Sequence, residues 1–503
     1  MIENHAIKLI NQKISKETLE SYTGSNYVDD KTIELLNSFI DKKQVYLMIE
    51  KPYYDSDYLS TYYIFYSRKQ EHFSKICCRI HIYEIIEDNS SKENYIYQGS
   101  IVLRPTKSTT KMGKTYLSPL LFLTEGHIIL NEFKNHILGE TIPIKAFPWM
   151  KQETDVAVCA HVALWSIIRY FGSKYAGYQD ITMGSIVQKT PEQNQRKLPL
   201  SDLNLMQISE LLKKQDFSPI IVSRKTTDDF DAELFTYIQS GIPLIGCITG
   251  LRHSVVIIGH GEMKTARLND YDSMKKVFSQ MNVIDSNELV ESIIVNDDSI
   301  GPYITISKEM NIFEPEIFDN VRTPNIPYSL KDFDYLVVPL YDRIQFGYRS
   351  LQIAVQMLLD EKKIYINGHE EQFNFLEENK KYISRVYICS AKTLKKYAIT
   401  KINGNTDLVN YIRRMELPKF VWNVDFSTLE EFEENKISAK LIIDTTCCNN
   451  DNEPWLLIHN RLNLFIREPS NQDKKWILHE CEIDPYVKFD GNLFDLRKMY
   501  EEE

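Results

Sequence analysis

The chain has 503 residues, too many for one ordinary hydrophobic core, and at roughly 150 residues per domain about three units are expected. Hydrophobic residues at 43% and charged residues at 26% match a globular composition and exclude a disordered or fibrous chain. The net charge of -11 comes from 59 basic and 70 acidic residues mixed along the sequence, with no basic stripe to follow a phosphate backbone, so no nucleic acid partner is expected.

The opening MIENHAIKLINQK lacks the long apolar stretch of a secretory signal, and no run of about 18 apolar residues occurs later. A cytoplasmic protein without a membrane partner is the expectation. Residues 1–145 begin with a helix near Asp30 to Lys42, where Ile33, Leu36, Phe39 and Ile40 recur at helical spacing. Strands rich in β-branched and aromatic residues follow around Val45 to Ile49, Thr61 to Tyr66, Ile76 to Ile85 and Ile101 to Leu103. A second unit, residues 146–340, is helical in its first half and strand-rich in its second. The third, residues 341–503, starts with an amphipathic helix from Ser350 to Glu361 and continues with strands such as Lys440 to Ile443 and Trp455 to His459. The expected fold class is α+β and multidomain, with the two flanking units of unassigned role.

The eight cysteines, Cys77, Cys78, Cys159, Cys247, Cys389, Cys447, Cys448 and Cys481, have neither the density nor the spacing of a disulfide framework. The adjacent pairs lack a second Cys or His pair at finger-like spacing, so no zinc is expected there, and no cofactor or metal elsewhere. One cysteine stands apart. From Cys159 to Gly172 the sequence CAHVALWSIIRYFG is apolar on every face apart from His161, Ser166 and Arg169, the pattern of a buried helix, with Gly172 as its expected terminator. Cys159 then opens the helix, where unpaired N–H groups and the helix dipole favour a thiolate.

Seven residues earlier stands Gln152, whose amide can join the Cys159 N–H in binding an oxyanion. Ninety-four residues after the cysteine, two apolar runs flank a turn at Thr249 to Arg252 and predict a hairpin whose second strand begins at His253. A third run, Ile293 to Tyr303, predicts a strand ending in polar residues and a Gly-Pro turn. There Asn296, Asp297 or Asp298 can hold the far nitrogen of the imidazole and fix its tautomer.

This order and the local text resemble the papain-like cysteine peptidases, especially the bacterial branch that includes the double-glycine leader peptidases of bacteriocin transporters. Arg169 to Gly172, Gly241 and Pro243, His253 to Gly259, and Val295 to Asp297 match that branch in turn, within residues 150–340 only. The resemblance implies a papain-like core, a buried helix carrying the cysteine against an antiparallel sheet. It makes Cys159 the nucleophile, His253 the general base, Asp297 the orienting acid and Gln152 the oxyanion donor. Two positions depart: Ala160 stands where the branch often has Gly, and Gln152 lies about one residue farther upstream than expected. Asn296 and Asp298 should project to the face opposite Asp297 if the strand stays regular.

Other candidates have plainer readings. His161 lies two positions from Cys159 on a helix, so it points elsewhere and reads as a cleft-edge or buried polar residue. His260 should face away from His253, Cys247 sits in an apolar strand as packing, and Asp444 reads as a turn cap. A zinc site from Cys159, His161 and His253 lacks a compact ligand pair. The expected activity is hydrolysis of a peptide or isopeptide bond through an acyl-enzyme on Cys159, with a peptide or protein as substrate. The alternatives are a transamidase, deamidase or acyltransferase using the same triad, or a catalytically silent peptide-binding module.

Overall fold

A computed structural model describes residues 3–9, 12–87, 93–107, 110–153, 155–191, 203–278, 281–309, 326–366, 369–402, 404–448, 454–467 and 476–502. Near the N-terminus Val45, Leu47 and Ile49 alternate with half-buried neighbours and turn one face of a strand into the core. That strand, Val45–Tyr53, is second in an antiparallel sheet whose order follows the chain: Glu3–Leu9, Val45–Tyr53, Cys77–Glu87, Glu93–Leu103 and Met112–Leu117. The helix expected from Asp30 runs over Asp30–Ile40, capped by Asp29, which accepts from Thr32 N at 2.6 Å.

The strand expected at Thr61 to Tyr66 is instead the end of a helix, Ser56–Ile64, and a 3-10 turn, Tyr66–Arg68. Asp55 caps this helix through Tyr58 N at 2.9 Å, and Tyr58, Thr61 and Tyr62 bury one face. The strand preference of aromatic and β-branched residues is weak, and a good cap with a buried stripe at helical spacing overrides it.

The middle of the chain builds an antiparallel sheet in the order Gly301–Ser307, Ser292–Asp297, His253–His260, Leu244–Ile248, Tyr335–Val338 and Ile220–Ser223. The helix Cys159–Lys174 packs against the two central strands, Leu244–Ile248 and His253–His260. A third sheet contains Tyr382–Ser390, Phe420–Thr428, Ala439–Asp444 and Trp455–His459, and the expected amphipathic helix before it runs over Tyr348–Asp360.

The architecture is mixed α+β, and its sheets exchange strands across the boundaries expected near residues 145 and 340. His127–Ile128 pairs with Gly259 and His260 of the central sheet, and Phe494–Asp495 adds to that edge. Val283–Asp285 leaves the middle stretch to pair in parallel with Tyr382–Ser390. One contiguous apolar cluster accordingly takes in residues from Ile14 to Met499.

Candidate active site

Every residue from Ala160 to Phe171 is buried, as a helix apolar all round requires. Asp57, in the helix Ser56–Ile64, anchors two side chains on one side, accepting from Trp165 Nε1 at 2.8 Å and pairing with Arg169 at 3.2 Å. Gly172 does not terminate the helix, which continues to Lys174. A Cβ there would lie 3.2 Å from Asp180 N, so this glycine serves the close approach of the returning loop.

The helix begins at Cys159, which is half-buried, after Val158 in extended conformation. Val158 has no polar side chain, and its N–H donates to His161 Nδ1 at 3.4 Å. His161 Nε2 lies 3.1 Å from Thr190 Oγ1, which itself donates to Ile186 O at 3.0 Å. Burial pushes the His161 imidazole down to about 4, so the ring is neutral, accepting at Nδ1 and donating at Nε2. His161 is therefore a buried brace for the helix end that presents Cys159.

His253 is set by its hairpin. The 3-10 turn Thr249–Leu251 is pinned by Asp334, which accepts from Thr249 N at 2.9 Å, and Arg252 takes the left-handed conformation at φ 49 that closes the turn. Ile248 then pairs with His253, the first residue of its strand. The ring's Nε2 is 2.9 Å from Asp297 Oδ2, which leaves Nδ1 unengaged by the acid, and Cys159 lies near enough to raise the ring's proton affinity. Burial pulls the ring's proton affinity down, but the bonds to Asp297 and Cys159 and the charges of Asp297 and Asp298 outweigh it and raise the imidazole to about 10.

Asp297 ends the strand Ser292–Asp297 and is fixed on every side. Oδ1 accepts from Ser299 N at 2.7 Å and Ile300 N at 3.0 Å, and Oδ2 accepts from Tyr328 Oη at 2.6 Å. Burial pushes this carboxyl up, yet the His253 and Tyr328 hydrogen bonds, the imidazolium charge and the backbone donors hold it below the usual range. Its carbonyl also accepts from Trp149 Nε1 at 2.9 Å. Tyr328, which sequence patterns did not single out, packs edge-on against Phe333 with centroids 5.9 Å apart. Phe333 in turn lies so close over Gly246 that a Cβ there would stand 2.2 Å from its ring. A chain of contacts thus runs from a glycine in the neighbouring strand to the acid behind the imidazole.

The three polar neighbours separate. Asn296 turns away, as expected, its Oδ1 accepting from Tyr303 N at 2.8 Å. Asp298 does not: its Oδ1 is 3.9 Å from His253 Nε2, because Asp298 lies past the strand's end, in the turn of residues 298–300, where alternation no longer applies. Gly301 and Pro302, expected to form that turn, instead open the next strand, Gly301–Ser307.

Gln152 lies in a loop, half-buried, its carbonyl accepting from Thr110 Oγ1 at 2.8 Å. The antiparallel bridge of Glu153 with Ala157 folds this loop back toward Val158, next to Cys159. Among the described residues the Gln152 amide has no hydrogen-bond partner, so it remains available to a ligand. Cys247 is buried, with a thiol that burial pushes up to about 11, and His260 is held between Gln239 Nε2 at 2.6 Å and Gly261 O at 2.6 Å. Among the described residues neither side chain is bonded to Cys159, His253 or Asp297, although Cys247 is close enough to Cys159 to feel its charge.

His253, Asp297 and Asp298 bring one possible ligand atom each within 4.8 Å of one another. Both Asp297 oxygens and His253 Nε2 are already engaged, however, and a cation would have to displace those bonds. The donor set therefore fits an imidazole-orienting role better than a metal centre. No protein family, curated protein or solved structure matches this chain.

Proposed function

We propose that the protein is a papain-like cysteine hydrolase acting on a peptide or isopeptide bond through an acyl-enzyme on Cys159. The observation that carries this reading is the line of Cys159, the His253 ring and Asp297: a half-exposed thiol at a helix N-terminus, beside an imidazole whose far nitrogen is bonded to a buried carboxylate at 2.9 Å.

In this mechanism the imidazolium of His253 and the thiolate of Cys159 form an ion pair. The sulfur adds to the substrate carbonyl, and the oxyanion is met by the Cys159 N–H and the Gln152 amide. Nδ1 of His253 gives its proton to the departing amine, leaving a thioester and a neutral imidazole. Water, deprotonated by that imidazole, then adds to the thioester, and collapse releases the acid and restores the ion pair. Asp297, bonded to Nε2 throughout, keeps Nδ1 aimed at the sulfur.

The test is incubation with a peptide library, with and without a primary amine, followed by mass spectrometry. Cleaved products from wild type and none from Cys159→Ala are expected. Amine-capped products in place of acids would move the activity to transamidation, and identical behaviour of the two proteins would remove it.

A further inference from the structure

One acid beside the triad is unused by this mechanism. Asp298 is 4% exposed, yet among the described residues neither carboxyl oxygen has a hydrogen-bond partner beyond the residue's own backbone. A buried carboxylate in that condition is costly, so the group must carry a proton or answer a nearby positive charge. Its cationic neighbours are His253, with Nε2 at 3.9 Å, and Lys151, whose ammonium is turned to Ser299 O at 3.2 Å. The opposing charge is Asp297, whose oxygens are filled by His253, Tyr328 and two backbone N–H groups, so it cannot share a proton with Asp298 without losing one of them. Cys159 also neighbours the ring.

We propose that Asp298 is a positioning residue that acts through His253: as a neutral acid it leaves Asp297 alone to balance the imidazolium, and as an anion it makes the ring hold its proton more tightly. The inference rests on the reading of His253 as the partner of Cys159. With Asp298 protonated, thiolate, imidazolium and Asp297 carry one net negative charge; with Asp298 ionised they carry two in a buried site. Burial and Asp297 push Asp298 up to about 7, against the pull of His253, its own backbone N–H and Lys151. Groups this close titrate as a pair, so ionisation of Asp298 moves the ring's own deprotonation to higher pH. The ion pair with Cys159 then survives farther into the alkaline range than Asp297 alone would allow.

The experiment follows the His253 ring by NMR in substrate-free protein carrying isotope-labelled histidine, its signals assigned with His253→Gln. Wild type, Asp298→Asn and Asp298→Ser are titrated before and after exhaustive chelation. Wild type should show two steps, one near neutrality as Asp298 ionises and a later one as the ring itself loses its proton. In both variants the first step should vanish and the second should fall by about one pH unit or more. A single step in wild type would overturn the proposal without any variant having to fold. An unchanged ring titration in the variants would overturn it too, as would a wild-type titration altered by chelation, which would make Asp298 a cation ligand. No substrate enters these measurements, so failure to find a cleaved peptide would count against the hydrolase reading alone.

Discussion

Two clusters in this molecule each gather a cysteine, an acid and a cation, one in the central sheet and one in the C-terminal sheet. In the latter, Lys440 and Asp425 sit opposite each other on paired strands, 0% and 2% exposed, with Lys440 Nζ 2.9 Å from Tyr387 Oη. Tyr387 donates to Asp425 Oδ2 at 3.0 Å, and Cys389 beside them is pushed up to about 12 by burial. Every charge there has met its counter-charge and the thiol is sealed. In the central sheet Cys159 is half-exposed, the His253 side chain is 16% exposed and, among the described residues, the Asp298 carboxyl has no hydrogen-bond partner beyond its own backbone. The difference teaches that residue types alone do not make a reactive site. Chemistry needs a reachable group whose bonding is incomplete, and a sealed cluster whose charges are paired is a brace for the fold.

The widest test of that contrast removes each thiol. Cys159→Ala should lower kcat/KM on the order of 10⁴-fold or more, while Cys389→Ala leaves it unchanged in protein that remains folded. Comparable losses from the two would erase the distinction. Next in size is the reverse comparison on stability. Lys440→Met strands the Asp425 carboxylate and should cost about 3–5 kcal/mol in urea unfolding, whereas adding Asp425→Leu to it should recover much of the loss. A Lys440→Met protein as stable as wild type would mean that the pair is not the brace described.

Much of the central site was legible because its signals are local. A run apolar on all faces marks the Cys159 helix, two β-branched runs around a turn mark the hairpin, and a strand closing in polar residues marks Asp297. Features that depend on contacts across the fold were not. Tyr328 reaches Asp297 from 31 residues away, and nothing in its neighbourhood shows a period. Asp298 was assigned to the wrong face because the two-residue repeat of a strand stops at its last residue. Thr61 to Tyr66 has strand composition, but its cap at Asp55 and its buried stripe make it helical. The strands that cross the expected boundaries, His127–Ile128, Val283–Asp285 and Phe494–Asp495, are two or three residues long and too short to carry a pattern.

Gln152 offers a smaller and sharper test than the thiols. Its amide has no hydrogen-bond partner among the described residues, so Gln152→Ala should leave stability intact and lower kcat roughly 10²-fold with little change in KM, the signature of a group that bonds only the oxyanion. A change confined to KM would place Gln152 in substrate binding and leave the oxyanion to backbone donors.

The smallest expected effect, roughly tenfold in kcat/KM or about 1.4 kcal/mol, belongs to Tyr328→Phe, and its pH dependence makes it the most discriminating. The phenol supplies one of the bonds that hold the Asp297 carboxyl below its usual range, so its loss lets that carboxyl rise. A group whose folded value is depressed contributes stability that is complete above its unfolded value and is lost as pH falls through the folded one. In the variant that loss should begin at higher pH, and urea midpoints measured from neutrality downward should separate from wild type on the acid side. The alkaline side carries the opposite sign. His253, raised from 6.5 to about 10, contributes fully below 6.5 and fades as pH climbs toward 10, and because Asp297 is ionised across that range with or without the phenol, this limb should not move to lower pH. The stability profile of Tyr328→Phe should therefore narrow at its acid end alone. Tyr387→Phe, which removes a phenol from the sealed cluster, should instead lower the midpoint without narrowing the profile. Narrowing by Tyr387→Phe, or a uniform drop by Tyr328→Phe, would show that the two clusters do not differ in the way their geometry implies.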